Sequence, residues 1–274
     1  MSKRHKISGM SFPGLDVVIP AWGGFDFLKS CLLALPDALG ETKASVVVVD
    51  DFSEDAEGCK KVVAESPLPV TLLRNHENLG FGGACNRGSR ACGSPLILFL
   101  NTDVTMFPGS IAKMVDFMRT HEDYGVVGPK LIFPEVAGLE GRPAGKIQHA
   151  GMEFNIRGEP IHIFMGWDRD HPKVQVGREV PAVTGASFMV RRKQFMEFGG
   201  FDPLWGRGTF EDVDYCFKVR SSGGHVHYLA EAEGYHVAGG SSALTQTPFP
   251  LAQNFSLFRA RWGGMIAWTE WEVW

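Results

Sequence analysis

The sequence predicts an α/β fold with a mostly parallel central sheet flanked by helices, and three observations carry that prediction. Short apolar runs alternate with stretches of helical spacing throughout the first half of the chain. One run, 45–49, places four valines in a row, the pattern of a strand buried on both faces. Two of the runs end in acidic or amide residues, at Asp50-Asp51 and at Asn101-Thr102-Asp103. In open α/β sheets the carboxyl ends of the strands are where ligands bind.

Taken in order, the first element is the β-type run 15–19, stopped by Pro20. Residues 25–35 have helical spacing, with Phe25, Leu28, Leu32 and Leu35 on one face. The valine strand and a helix to about residue 65 follow, then a third strand at 70–73. A helix from about Phe81 to Ala91 precedes the fourth strand at 96–100. Pro108 suits the start of the next helix, which runs to about His121. Four strand–helix units in succession imply parallel pairing. The second half is less regular. Hairpin material at 148–164 is broken by Gly151 and Gly158, and strands are expected at 188–190 and 226–228. Helices are expected at 192–198, 211–222 and 252–262. With no linker, repeat or low-complexity stretch, the 274 residues read as one domain, with a regular first half at about 15–135, a less regular second half at about 136–262 and a tail at 263–274.

Composition narrows the function. Hydrophobic residues are 44%, charged residues 21% and the formal net charge is -4, so there is no strongly basic balance to gather nucleic acid phosphates. The basic cluster Lys3, Arg4, His5, Lys6 is followed by no apolar segment of signal-peptide type. No run of ~18 apolar residues suggests a membrane-spanning helix. The five cysteines, Cys31, Cys59, Cys85, Cys92 and Cys216, form no CxxC pair and fit buried free thiols in a reducing cytoplasm.

Four segments could carry chemistry. Asn101 and Asp103, two residues apart at a strand end, could aim oxygen atoms at one site, as Mg²⁺ or Mn²⁺ binding requires; an Asx-type turn is the plain alternative. Glu211, Asp212 and Asp214 open a helix, where acids complement the dipole with Thr209 as cap. A Gly- and Trp-bearing loop at 201–208 precedes them, and adjacent carboxylates in a cleft favour a base of raised pKa. His236, beside a Gly/Ser loop, could ligate a metal with Asp103. The segment 78–88 opens a helix with small residues, whose N–H groups could meet a phosphate or whose smallness could serve close helix–sheet packing.

Together, Val18-Ile19-Pro20, Val49-Asp50-Asp51-Phe52-Ser53, Asn78-Leu79-Gly80-Phe81 with Asn86-Arg87-Gly88, Asn101-Thr102-Asp103-Val104, Thr184-Gly185-Ala186, Phe210-Glu211-Asp212-Val213-Asp214 and His236 with Gly239 and Ser241 resemble the family 2 glycosyltransferases, in particular their rhamnosyltransferase-like branch. The resemblance spans about residues 15–262 and implies a GT-A fold: a Rossmann-like sheet with a smaller mixed acceptor-side region. It further implies that Asp50 or Asp51 contacts the base or ribose, and that Pro20, Asn75, Asn78, Gly80, Phe81 and Asn86 line the nucleotide and diphosphate side. Asp103 would hold the metal, with Asn101 in place of the first Asp of a DxD and His236 as a further metal or diphosphate contact. Gly185 and Ala186 would lie beneath the donor sugar, Asp212 would be the general base and Glu211 would stand near the acceptor. The implied reaction is inverting transfer from a dTDP- or UDP-linked sugar to a hydroxyl of a glycan or lipid-linked acceptor, with Mn²⁺ or Mg²⁺.

The sequence departs from the family pattern at Asn101 and after Pro20, where Ala21-Trp22-Gly23-Gly24 leaves nucleotide preference open; Trp22 suits a base stack or a core position equally. Two other functions compete: a non-catalytic nucleotide-sugar or glycan-binding module, and a metal-dependent phosphohydrolase built on Asp103 and Thr105. The Trp-rich tail 262–274 leaves open peripheral contact with the inner face of the membrane, packing on its own domain, or a homodimer.

Overall fold

The computed structural model describes residues 14–135, 143–237 and 249–267. Gly239 and Ser241, the basic cluster 3–6 and the tail from Trp268 onward lie outside the described residues. Strands β1 (Leu15–Ala21), β2 (Ala44–Asp50), β3 (Val70–Arg74) and β4 (Leu96–Leu100) alternate with helices α1 (Phe25–Leu39), α2 (Ala56–Ala64) and α3 (Gly80–Ala91). Then come β5 (Val104–Met106), α4 (Ser110–Thr120), β6 (Tyr124–Ile132), β7 (Ile147–His149), β8 (Met152–Phe154), β9 (Pro160–His162), β10 (Arg178–Glu179), β11 (Ser187–Arg191) and α5 (Arg192–Glu197). The chain closes with α6 (Glu211–Ser221), β12 (His225–His236) and α7 (Leu251–Trp262).

The main sheet runs β10-β12-β6-β11-β4-β1-β2-β3, with β5 on β12 and β7 on β6. Along that path β11 and β10 are reversed, and the neighbouring pairs β1–β2, β2–β3, β1–β4 and β6–β12 are parallel. A separate hairpin joins β8 to β9. Period-2 alternation explains why the parallel strands read as continuous apolar runs. On β1, Val18 packs into one core while Val17 and Ile19 pack into the other. Val47 and Val49 share the first core, and Val46 and Val48 the second. Helices α1 and α4 cover the second face, while α3, α6 and α7 cover the first.

Three features differ from the sequence expectation. Helix α1 runs through Pro36 to Leu39, because Ala38 and Leu39 are buried against the sheet and hold the last turn in place. Strand β6 was hidden by Gly128 and Pro129; a proline cannot donate to a ladder, and here the β12 register shifts just after the Pro129–Leu229 pair. Helix α6 is not capped by Thr209. Its N-cap is Phe210, at φ 73 with no side-chain cap bond, and Thr209 before it is also left-handed at φ 77.

The candidate active site

The strand ends build one cavity of about 420 Å³. Its first wall comes from Pro20, Ala21 and Trp22 at the end of β1, Asp51 after β2, Asn78, Phe81 and Ala84 around α3, and Asn101, Thr102 and Asp103 after β4. The second comes from Gln148, His162, Thr184, Gly185, Ala186, the loop 207–209, Glu211, Asp212, His236 and Phe249. Trp22 is therefore a cavity residue.

The structure separates the paired aspartates. Asp50 is turned away from the cavity: its carboxylate accepts from Ser53 N and pairs with the Arg74 guanidinium. Asp51 faces the cavity, with one oxygen taking Asn75 Nδ2 at 2.6 Å and Leu79 N at 2.9 Å. Burial raises its pKa, against those donors. Asn75, Gly80 and Asn86 do not line the cavity either. Asn75 holds Asp51. Asn86 clamps the backbone of Phe201 through both ends of its amide, at 2.7 and 2.9 Å. Gly80 lies in the left-handed region, at φ 72, where an added Cβ would stand 2.6 Å from Arg207 Cα.

The phosphate cradle expected at the start of α3 is spoken for. Leu79 N goes to Asp51, Gly80 N to Asn78 Oδ1 and Phe81 N to Arg207 O. The plainer packing account holds at Gly88, whose Cβ would meet Val18 Cγ1 at 2.4 Å.

Asn101 and Asp103 reach the cavity through a turn, with Val104 N donating to Asn101 O, and not through an extended strand end. Asp103 Oδ1 stands 3.4 Å from His236 Nε2, and His236 Nδ1 lies 3.2 Å from Gln148 Oε1. With Gln148 Oε1 accepting from Nδ1–H, Nε2 would be the ring atom offered to a cation shared with the Asp103 carboxylate. Carboxylate and imidazole facing each other this way fit a shared Mn²⁺ or Mg²⁺, whose remaining oxygens would come from phosphates and water. Among the described residues no group of three or more His, Cys, Asp or Glu side chains is arranged to hold a metal ion, so protein side chains alone would supply only this pair. Thr105 lies in β5, paired with β12, outside the cavity, so the phosphohydrolase reading loses a residue it needs.

Across the cavity, Asp212 Oδ2 accepts from Gly185 N at 2.7 Å and Oδ1 from Val213 N at 2.8 Å. Glu211 is buried and its Oε2 has no partner. Burial raises both carboxyls, and for Glu211 the neighbouring Asp212 adds to it. Because two backbone N–H groups steady Asp212 and none reaches Glu211 Oε2, a shared proton resides on Glu211 and Asp212 stays ionised. Asp214, the third acid, is structural: fully buried, it takes Arg261 Nη1 and Trp262 Nε1, each at 2.8 Å.

Helix α7 braces this machinery. Asn254 Nδ2 lies 3.0–3.1 Å from Trp205 O, Gly208 O, Thr209 O and Thr209 Oγ1. The loop that presents Glu211 is thereby pinned where two non-glycine residues are left-handed. Sequence reasoning missed Gln148, His162, Phe249 and Asn254, all brought in by long-range packing. The five cysteines are buried and unpaired, as expected.

Comparisons with known proteins agree with this geometry. The family model described as glycosyl transferase family 2 matches residues 16–198. An uncharacterized protein, y4gI, of Sinorhizobium fredii is 25% identical over 246 residues, covering 86% of this chain and 26% of its own length, so the chain spans about a quarter of that relative. The N-acetylglucosaminyl-diphospho-decaprenol L-rhamnosyltransferase of Mycobacterium tuberculosis is 28% identical over 233 residues, covering 77% of this chain and 70% of its own length. Among solved structures, GalNAc-T7 with UDP, GalNAc and Mn²⁺ superposes with TM-score 0.63 at 18% identity, over 83% of this chain and 44% of that one. TarS of S. aureus in complex with UDP-GlcNAc superposes with TM-score 0.59 at 13% identity, over 93% and 68%. No helix among the described residues is long and apolar enough to cross a membrane. With the family model matched over most of its length and a GT-A architecture around the cavity, the chain belongs to glycosyl transferase family 2.

Proposed function

We propose that this chain catalyses inverting transfer of a sugar from a nucleoside-diphosphate donor, dTDP- or UDP-linked, to a hydroxyl of a glycan or lipid-linked acceptor. The observation that carries the reading is the co-location in one cavity of the Asp103–His236 pair and the Glu211–Asp212 pair. The rhamnosyltransferase relative supports a rhamnosyl donor and a lipid-linked acceptor, and UDP beside Mn²⁺ in a structural neighbour keeps a UDP-sugar in view.

Each residue has a chemical task. Asp51 and Trp22 receive the nucleoside, the carboxylate for hydrogen bonding and the indole for stacking. Asp103 and His236 would hold Mn²⁺ or Mg²⁺, which supplies positive charge to the departing diphosphate. Gly185 and Ala186 form the floor under the sugar. Asp212 takes the acceptor's hydroxyl proton while that oxygen bonds to the anomeric carbon and the bond to the diphosphate breaks, inverting the centre. Glu211, protonated beside it, donates to an acceptor oxygen. The first-half wall thus serves the nucleotide, while the second-half wall brings His236 to the metal, Gly185 and Ala186 to the donor sugar, and Glu211 and Asp212 to the acceptor, and the site faces the cytoplasm or the inner face of the membrane.

Thermal stability against UDP, dTDP, GDP, CMP and ADP, with and without Mn²⁺, tests the reading. At a hundredfold excess over the dissociation constant a ligand of the native state adds about 2.7 kcal/mol. A metal-dependent rise with UDP or dTDP is expected. No response to any nucleotide by folded protein would refute the proposal and favour a glycan-binding module.

A further inference from the structure

Beside the metal-side pair lies a second histidine pair that the reaction described above does not use. His149, on β7, is wholly buried. Its Nδ1 stands 2.9 Å from Nδ1 of His162, which lines the cavity. Its Nε2 faces the backbone N–H of Thr184 at 3.5 Å.

The tautomers follow by elimination. Two nitrogens at 2.9 Å share one proton. If it sat on His162 Nδ1, neutral His149 would carry its own proton on Nε2, pointing it at the Thr184 N–H, donor against donor. The proton therefore sits on His149 Nδ1, and His149 Nε2 accepts from Thr184. His162 Nδ1 is then an acceptor, and its remaining proton is on Nε2. Burial lowers the pKa of both rings, that of His162 to about 4, so neither becomes imidazolium near neutral pH. β7 also supplies Gln148, which holds His236, so one strand sets the proton positions of both cavity histidines.

We propose that His162 is a diphosphate-binding residue of this site: a neutral, donor-only Nε2–H, fixed in that tautomer by His149 and Thr184, that hydrogen-bonds an oxygen of the donor's diphosphate. The proposal rests on the nucleoside-diphosphate reading above. A sugar hydroxyl accepts or donates and gains little from a fixed tautomer, whereas diphosphate oxygens only accept. A ring locked as donor beside the metal-side pair matches that chemistry, and its neutrality keeps it from competing with a cation at Asp103 and His236. His149 is a positioning residue.

Two measurements on the full chain test it. Two-bond ¹H–¹⁵N spectra of ¹⁵N-histidine-labelled protein report each ring's protonated nitrogen, with His162→Gln used for assignment. His149 is expected to be protonated on Nδ1 and His162 on Nε2; the reverse arrangement, or an imidazolium at either ring, overturns the proposal. Calorimetric titration with UDP and dTDP, each with Mn²⁺, and with uridine and thymidine supplies the second. A hydrogen bond to a charged oxygen contributes a factor of roughly 10 to 100 in binding. His162→Phe should lose that factor toward the diphosphates and leave the nucleosides unchanged, and His162→Gln, which keeps a carbonyl and an N–H, should recover part of it. Unaltered diphosphate affinity in a folded His162→Phe protein overturns the assignment. Failure of the wild type to bind either diphosphate overturns the parent reading and the ligand assignment together, while the spectra still decide the tautomers.

Discussion

Asn254 sits outside the segment matched by the family model, yet the structure makes it the keystone of the loop before Glu211 and Asp212. It is 2% exposed, and its amide nitrogen serves three backbone carbonyls and the Thr209 hydroxyl. Two amide hydrogens make two strong bonds at a time, and a buried acceptor left without a partner costs about 1–3 kcal/mol. Removing the amide also frees Thr209 and Phe210 to leave the left-handed region, which returns part of that loss. Asn254→Ala is therefore expected to lower the unfolding free energy by about 2–4 kcal/mol, from two such acceptors less the relaxation. Phe210 would shift with the loop, and a displacement of about 1 Å at Asp212 costs roughly 100-fold in turnover. Asn254→Asp is the sharper variant, since it keeps the shape but turns an oxygen toward the same carbonyls, so it should destabilise at least as much at pH 7. Urea denaturation and turnover of the folded variants are the assays. A loss under about 0.5 kcal/mol, the range of inconsequential surface changes, with unchanged turnover, would refute the reasoning.

Other perturbations have equally definite outcomes. Glu211 has a folded pKa of about 8, above its ordinary 4.5, so its neutral form favours the fold. That contribution is full below the ordinary value and is lost as pH rises through the folded one. Glu211→Gln should therefore flatten the fall in stability between those two pH values, and an unchanged pH profile would contradict the burial account. Gly80→Ala adds a Cβ against the Arg207 backbone at φ 72 and should destabilise by about 2 kcal/mol or more in a denaturant titration. Asp103→Asn and His236→Ala should each abolish the Mn²⁺-dependent part of nucleoside-diphosphate binding measured by calorimetry and leave the metal-independent part intact; retention of the Mn²⁺ effect in both would place the metal elsewhere.

The first half of the fold was legible because β1, β4 and most of β2 bury both faces and end at turns, so apolar run and polar terminus coincide at Asp51 and at Asn101–Asp103. Composition could not tell Asp50 from Asp51. Alternation along the strand sends one toward Arg74 and the other into the cavity, and only the register of β2 with β3 decides which. The resemblance puts Asn86 on the nucleotide side, whereas its partner is the backbone of Phe201, distant in sequence. Gln148 and His162 stood in a segment already read as a hairpin, but a lone His or Gln carries no local signal. Their importance comes from His236, His149 and Thr184, which the fold gathers from other elements. Asn254 was invisible for the same reason. Strand β6 was missed because Gly128 and Pro129 broke its pattern, and the shift in β12 pairing that tolerates the proline is a tertiary feature.

The central claim is that Asp212 is the base of a sugar transfer at this cavity. Its most direct test is single-turnover transfer from a bound dTDP- or UDP-sugar, comparing wild type with Asp212→Asn at matched donor occupancy. Proton removal by a positioned side chain contributes roughly 10²–10⁴-fold. The account predicts a rate loss in that range with donor affinity and folding preserved; near-wild-type transfer by the folded variant would contradict it.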